Sequence, residues 1–513
     1  MKILRTLLGC FTLLLAGLDD AGAVVLNSRG EGQLLIFPYY STAAGNSTLL
    51  TLTNYRQQPK VLRVRIAEGE NAQDVRSFHV YMAPYDVWTG VLFDRGDGAA
   101  PGLTTSDASC TVPALRESTS LPQLPGGLRY VPLQDGLADA GSADPARLRE
   151  GFVEVLEVAS IRQPSLTASA VTPRGDRLRD CAALLAAWEA PGGYWRADPL
   201  KDLANPTGGI GGEISIVNVA AGTVFGLAPV AIDDFRVDPA DQPRGSLSSV
   251  ALHAQLISRE PPLSMLALTD PARSIVSADV IADGRPRRLS YPAPQRAVDA
   301  VSAVLMLSRA EAVFEQDAAI GSRTSYVLTY PTRPLYTDVQ YTGQQTGVAP
   351  FPARFQGRVP LDRTLGMRFN LLNRESYIEV LGGPPDDGCG FTCPPPLQAR
   401  LPGTAVEVLA PGGTPDPQLG TRLHADIGYG ANPLPTATNG WLQLHADRFG
   451  GQHNQLRPSL EGYSLRGLPL IGTRVITYVN DDIGGGVRAN YSTALPMSGY
   501  TQCVDAQAQP CAP

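Results

Sequence analysis

Cys389 and Cys393 lie in the stretch DDGCGFTCPPP (386–396), with three residues between them in a loop of Gly, Asp and Pro. Cysteines so placed bind metal, cycle between thiol and disulfide, or staple a loop. Structural zinc takes four ligands, typically two close Cys pairs or a Cys pair with a His pair. Cys503 and Cys511 are too widely spaced for a second pair, and no histidine lies close by. A redox pair is C-x-x-C, whereas this C-x-x-x-C runs into three prolines. The staple is the expected role.

Histidine offers a second arrangement, because LHAD occurs at 423–426 and again at 444–447. Residues two apart in a strand share a face, so pairing of two such strands would gather His424, Asp426, His445 and Asp447 into a metal site or an acid–base cluster. Solvent-facing polar positions of accidental likeness are the simpler expectation. The acidic pairs Asp233-Asp234, Asp386-Asp387 and Asp481-Asp482 have the residue type for glycoside hydrolysis, a chemistry set by the spatial separation of its two carboxylates. Turn or Ca²⁺-loop roles are expected instead, and NDDIGGG (480–486), with Asp481 and Asp482, is the candidate for a weak Ca²⁺ site. No other cofactor is implied.

The remaining motifs are weaker. RGD at 95–97 and 174–176 would suit cell adhesion from an exposed turn, yet these residues are common in turns of any kind. GGIGGE (208–213) follows a loop and enters a strand, the reverse of the strand-to-helix setting of a phosphate loop. No G-x-S-x-G, H-E-x-x-H, P-loop or EF-hand pattern occurs. The chain therefore reads as a non-enzyme more readily than as an enzyme.

Cysteine chemistry depends on compartment. Residues 1–23, MKILRTLLGCFTLLLAGLDDAGA, place Lys2 and Arg5 before an apolar run and end in the small-x-small triplet Ala21-Gly22-Ala23. This is the pattern of a secretory signal peptide, and the run is shorter than the ~20 apolar residues of a membrane helix. Export to the periplasm, cell surface or medium follows, with no later membrane span. Of the seven cysteines, removal of this segment leaves Cys110, Cys181, Cys389, Cys393, Cys503 and Cys511, an even set for an oxidising compartment. Pairing of neighbours is expected: Cys110 with Cys181, Cys389 with Cys393, and Cys503 with Cys511. Loop-closure entropy assigns about 4.4 kcal/mol to the first and about 2 to 2.6 kcal/mol to each of the others.

The elements that position these residues read as β-rich. Net charge is −7, charged residues are only 18%, and 52 Gly and 44 Pro punctuate the chain, with no basic run to suit nucleic acid or an anionic membrane. STLLTLTN (47–54) alternates apolar and hydroxyl residues with the period of a half-buried strand, and the runs from 62 to 66 and 78 to 82 repeat it. GFVEVLEVAS (151–160), GEISIVNV (212–219), YVLTY (326–330), WLQLHA (441–446) and RVITYVN (474–480) are further strands. GQLLIF, near the mature N-terminus, suits an edge strand open to strand addition or, more simply, a strand completing its own sandwich. The clearest helix spans 176–193, with Asp176 as N-cap and Cys181 on its buried face. The segment 296–315 fits either period, and its middle is read as strand.

The runs GQLLIFPYYS, YDVWTG, SCTVPAL, GFVEVLEVA, DCAALLAAW, GEISIVNVAAG, AVSAVLM, YVLTYPTRPLYTD, GFTCPPP and GLPLIG, in this order over most of the mature chain, resemble a family of uncharacterised exported cell-surface proteins of Gram-negative bacteria. The resemblance implies export and a β-rich build, and it carries no activity, cofactor or site residue. The expected fold is mainly β, with two sandwich-like lobes, long loops and one or two short helices. The boundaries are a signal peptide at 1–23, a sandwich lobe at 24–245 with a helical insertion near 176–190, a connecting segment at 246–295 and a β-rich lobe at 296–513. The expected role is a non-enzymatic surface or matrix protein that self-associates or joins other envelope or extracellular components. A carbohydrate- or ligand-binding module and a secreted polysaccharide hydrolase are the alternatives.

Overall fold

The computed structural model describes residues 23–512 with long exceptions at 235–274, 352–365 and 381–397. Shorter exceptions fall at 117–120, 125–126, 128, 134–138, 140, 175–178, 189–194, 196–197, 199–200, 293–295, 339–341, 343–346, 374–377, 401–403, 411–415, 429–437 and 450–451. Residues 1–22 of the signal-peptide segment, Cys389, Cys393, Asp176 and the Asp386-Asp387 pair lie outside the described residues. The described residues are mainly β: strands hold 49% of them and helices 10%.

The N-terminal half is a two-sheet sandwich. Its inner sheet runs, in spatial order, Val25–Leu26, Val230–Asp233, Leu34–Ser41, Glu150–Ile161, Lys60–Glu68, Asp74–Met82 and Cys110–Val112. Its outer sheet runs Thr223–Leu227, Ile210–Asn218, Asn46–Asn54, Val87–Phe93, Gly102–Thr104 and Tyr130–Pro132. The register aligns Leu35, Val155, Val64 and Phe78 in one row across the inner sheet. Phe78 meets Trp88 of the outer sheet with ring centroids 5.6 Å apart, so this row faces the sandwich core. Asn46–Asn54 shows the alternation of a one-sided strand, burying Leu50 and Leu52 and turning Thr51 and Thr53 outward.

The inner sheet is buried on both faces. Every residue of Leu34–Ser41, Glu150–Ile161 and Lys60–Glu68 is buried, so the row Ile36, Glu154, Arg65 and Ser77 on its second face also lies inside the molecule. A strand covered on both sides reads as a near-continuous apolar run. EGFVEVLEVASI is that run, and its three glutamates are therefore buried charges needing partners. Leu34–Ser41 is an interior strand, paired on both sides, so the edge role considered for GQLLIF is taken by the short strands Val25–Leu26 and Cys110–Val112.

The C-terminal half is built on one long sheet, ordered Tyr491–Pro496, Ile471–Tyr478, Ser322–Thr329, Val406–Leu409, His424–Gly428, Gln398–Arg400, Gly366–Asn373, Asn439–His445, Arg309–Glu315 and Ser498–Tyr500. Its two end strands are separated in the chain by Met497 alone, so one extended segment pairs with both edges and the sheet closes on itself. Among the described strands of this sheet, only Val406–Leu409 and His424–Gly428 run parallel.

Two local expectations are corrected. The segment read as strand is helical at Ala297–Leu305 and becomes strand at Arg309–Glu315. Every residue from Val298 to Leu305 is buried, Asp299 and Ser302 included, and a segment buried all round carries no apolar period that separates helix from strand. The earlier helix spans Cys181–Trp188, and its N-terminal cap is Asp180, whose Oδ1 accepts the Ala183 N–H at 3.0 Å. Leu184 and Ala187 are its most buried residues, with Cys181 and Leu185 packed beside them.

The two halves share one continuous core. Backbone bonds cross between them, Ala405 N to Glu70 O at 2.9 Å and Val406 N to Gly69 O at 2.8 Å. Side chains follow, Asn46 Nδ2 to Gln418 O at 2.7 Å and Ser41 Oγ to Leu419 O at 3.4 Å. The hairpin Ile275–Ala282 with Arg285–Pro292 clasps the start of the chain, since Val24 donates to Ser277 O and accepts from Asp279 N, each at 2.9 Å.

Candidate functional site: buried charge clusters between the halves

Three of the buried ionic groups among the described residues act as hubs. The largest begins at Glu68, the last residue of Lys60–Glu68, where the sheet meets the turn Pro145–Arg149. Asp144 caps that turn through the Ala146 N–H at 2.9 Å and so aims Arg147 inward. Arg147 binds Glu68 bidentately, Nε to Oε2 at 2.9 Å and Nη2 to Oε1 at 3.0 Å, and places Nη1 2.6 Å from Asp139 Oδ1. Glu68 also accepts the backbone N–H groups of Glu70, Asn71 and Gln73 at 2.7, 2.9 and 2.8 Å. Its lone pairs are fully used.

The C-terminal half supplies the facing charges. Arg333 is fully buried and donates Nη1 to Glu70 O at 3.1 Å. Burial pushes its pKa down to about 10, against the pull of Glu68 and Glu407. Glu150 accepts Tyr39 Oη at 2.9 Å and the Arg422 N–H at 2.6 Å. Burial holds its carboxyl above the usual range, and burial likewise raises Glu70. Asp139 moves the other way: burial would raise it, but its hydrogen bonds with Arg147 and Asn71 prevail and hold it low. Acidic and basic groups from both halves thus neutralise one another where water is excluded.

The second hub is Asp299, buried in the first turn of Ala297–Leu305. It receives Tyr336 Oη at 2.7 Å, Arg457 Nη2 at 2.6 Å and Arg296 Nε at 2.7 Å. The third pairs Lys60 Nζ with Glu157 Oε1 at 2.6 Å, both side chains wholly buried. Glu157 further accepts Thr207 N at 3.1 Å and Gly208 N at 2.7 Å, which pins the GGIGGE segment as a turn entering Ile210–Asn218. Burial lowers the Lys60 ammonium and the Glu157 charge opposes the shift.

The residues singled out from sequence fall elsewhere. Cys110 and Cys181 are disulfide-bonded with Cα atoms 5.1 Å apart across a sequence separation of 71, and Cys503 and Cys511 with Cα atoms 5.4 Å apart. A recess of about 10 Å³ beside the first, lined by Asp107, Ser109 and Arg116 among others, has room for about one water. His424 and His445 are not brought together: Gln398–Arg400 and Gly366–Asn373 lie between their strands, a separation of about 14 Å at ~4.8 Å per strand. Asp426 pairs by its backbone with Arg400, and Asp447 follows the strand of His445. A cluster of these four residues would have to reach across those two intervening strands. No metal-holding group of His, Cys, Asp and Glu occurs among the described residues.

Asp482 Oδ1 is committed to its own turn, accepting Gly484 N at 2.8 Å and Gly486 N at 3.1 Å, while Asp481 Oδ1 accepts Asn490 Nδ2 at 3.2 Å. In the first RGD triplet Arg95 and Asp97 pair with each other, and Arg95 lies over the Tyr130 ring at 5.4 Å. The second triplet lies partly outside the described residues. Sequence reasoning missed Glu68, Arg147, Asp139, Asp299 and the Lys60–Glu157 pair. A signal existed for the last: Lys60 is one of only three lysines, and Glu157 interrupts an apolar run. Comparison with protein-family models, curated proteins and solved structures found no match for this chain.

Proposed function

We propose that this chain is an exported, non-enzymatic structural protein of the cell surface or extracellular matrix. The observation that carries the reading is the use made of its reactive groups. Two cysteine pairs are disulfides, and the buried acids, arginines and lysine close ion pairs that bind segment to segment across the core. Disulfides persist in oxidising compartments outside the cytosol. A body cross-linked in this way keeps its shape where chaperones and ATP are absent. The signal-like segment at 1–23 and the resemblance to exported surface proteins point the same way.

Hydrolysis of polysaccharide would need two carboxylates facing a common cleft. Asp481 and Asp482 instead hold their own loop together. The test is fractionation of the producing cells with and without the gene, joined to electron microscopy of the surface. Recovery in the envelope or medium, with an altered surface in the deletion strain, is expected. Recovery in the cytosol would overturn the proposal.

A further inference from the structure

We infer that the buried contact between Lys60 and Glu157 is the reactant state of an isopeptide bond, an amide that the folded chain forms between its own side chains. The choice of lysine is the first observation. The chain holds only three lysines, and the other deeply buried ion pairs among the described residues use arginine. Arginine makes the better buried ion pair and is never deprotonated in a protein, whereas a lysine amine that loses its proton is a nucleophile. Lysine at this one interior position therefore brings a reactivity that arginine lacks.

Glu157 and Ser160 are three apart and would face opposite sides of a regular strand. The register against Lys60–Glu68 shifts between Glu157 and Ala159, and this bulge turns both side chains towards Lys60. A closed ring of hydrogen bonds results. Lys60 Nζ donates to Thr207 Oγ1 at 2.8 Å, the Thr207 and Ser160 hydroxyls meet at 3.0 Å, Ser160 Oγ donates to Glu157 Oε1 at 2.9 Å, and Oε1 lies 2.6 Å from Nζ. Gln58 Oε1, at 3.2 Å, is a second acceptor for Thr207. Outside the ring, Gly208 N–H donates to Glu157 Oε2 at 2.7 Å and Thr207 N–H to Oε1 at 3.1 Å. With a C–O bond of about 1.23 Å, the carboxyl carbon lies within about 3.9 Å of Nζ. Both side chains are wholly buried, while Thr207 is exposed and links the ring to solvent.

The ring supplies each step of the condensation. One proton passes along the 2.6 Å contact from the ammonium to Oε1, giving a neutral amine and a carboxylic acid, the forms that a site without water favours. Burial already disfavours the ammonium. Nζ then adds to the carboxyl carbon, and the carbonyl electron pair moves to Oε2, where the Gly208 N–H stabilises the negative charge. A second proton travels from nitrogen through Thr207 and Ser160 to Oε1, which leaves as water on the side of exposed Thr207. One C–N bond forms, one C–O bond breaks, one water is released, and nothing is oxidised or reduced. The reaction needs only the folded inner sheet, so it is independent of where the chain is delivered.

Peptide mapping by mass spectrometry of the purified full chain, denatured and reduced, tests the bond. A branched peptide that joins the segments of Lys60 and Glu157, lighter than their sum by one water, is expected. Chain produced and held in denaturant should lack this peptide and acquire it on refolding. Lys60→Arg keeps a positive charge beside Glu157 and should yield linear peptides alone. Thr207→Val breaks the ring at an exposed position and should slow the appearance of the branch after refolding by about tenfold or more, with the circular dichroism of the parent. Linear peptides alone from the folded parent would overturn the inference, whether or not either variant folds. A branch from Lys60 to Asp233, the other carboxylate whose charge reaches the ammonium, would also overturn it, as would Thr207→Val linking at the parental rate.

Discussion

At the residue scale, the chemistry of Arg147 is set by what surrounds it. Its guanidinium is nearly inaccessible and faces Glu68 and Asp139 at once, so removing it leaves two carboxylates buried beside each other. Breaking one partner out of a buried ionic group costs about 3 to 5 kcal/mol. Arg147→Met should lose stability on that scale in urea unfolding, whereas an exposed pair such as Arg288 with Asp279 should change stability by less than about 1 kcal/mol when broken. The pH dependence follows from opposite shifts. Glu150 is raised in the folded protein, so it binds a proton more tightly there than in the unfolded chain. Its contribution is fully present below its unfolded pKa of about 4.3 and declines as pH rises through the folded value. Asp139 is lowered, so its contribution is present above about 3.9 and is lost as pH falls through the folded value. Because the Gln amide imitates the protonated acid and does not titrate, the stability of the parent relative to Glu150→Gln, measured by urea unfolding at a series of pH values, should fall as pH rises above about 4.3. A parent that gains stability relative to the variant over that range would contradict the assignment.

At the element scale, the long strand Glu150–Ile161 organises the inner sheet, and its close approach to Lys60–Glu68 leaves no room for a side chain at Gly151, where a Cβ would strike the carbonyl oxygen of Ala67. Gly151→Ala should destabilise the protein by about 2 kcal/mol or more, because a backbone atom rather than a flexible side chain must yield. The disulfides act at the same scale. Cys110–Cys181 ties a sheet edge to a helix over 71 residues, and Cys503–Cys511 closes a separation of 8. The double serine variant of the first should lose about 4 kcal/mol and that of the second about 2.6 kcal/mol, compared by denaturation under non-reducing conditions. Elements were legible in the sequence where one face met solvent: the alternation in STLLTLTN marks Asn46–Asn54 because its outward Thr51 and Thr53 differ from its inward Leu50 and Leu52. The alternation failed at Ala297–Leu305, where buried Val298, Ala300, Val301, Ala303 and Val304 surround the helix on all sides.

At the scale of the whole molecule, the halves are joined by hydrogen bonds, by the ionic hub around Glu68 and Arg333, and by one shared core. Such a body should unfold in calorimetry as a single transition with equal calorimetric and van't Hoff enthalpies; two separated transitions would show that the halves are independent. The hub itself was not legible in the sequence, because Glu68, Asp139, Arg147, Glu150 and Arg333 are scattered along the chain and meet only once Lys60–Glu68 lies beside Glu150–Ile161. The LHAD repeat shows the same limit: sequence likeness places His424 and His445 on similar strands, while the sheet order sets two other strands between them.

Peptide mass spectrometry of the protein recovered from the envelope and medium of the producing cells, alkylated before any reduction, tests the central claim of an exported, cross-linked structural body most directly. A mature chain lacking residues 1–23, with the Cys110 and Cys181 peptides linked, is the predicted result. A chain retaining Met1, confined to the cytosol and alkylated at both Cys110 and Cys181, would contradict it.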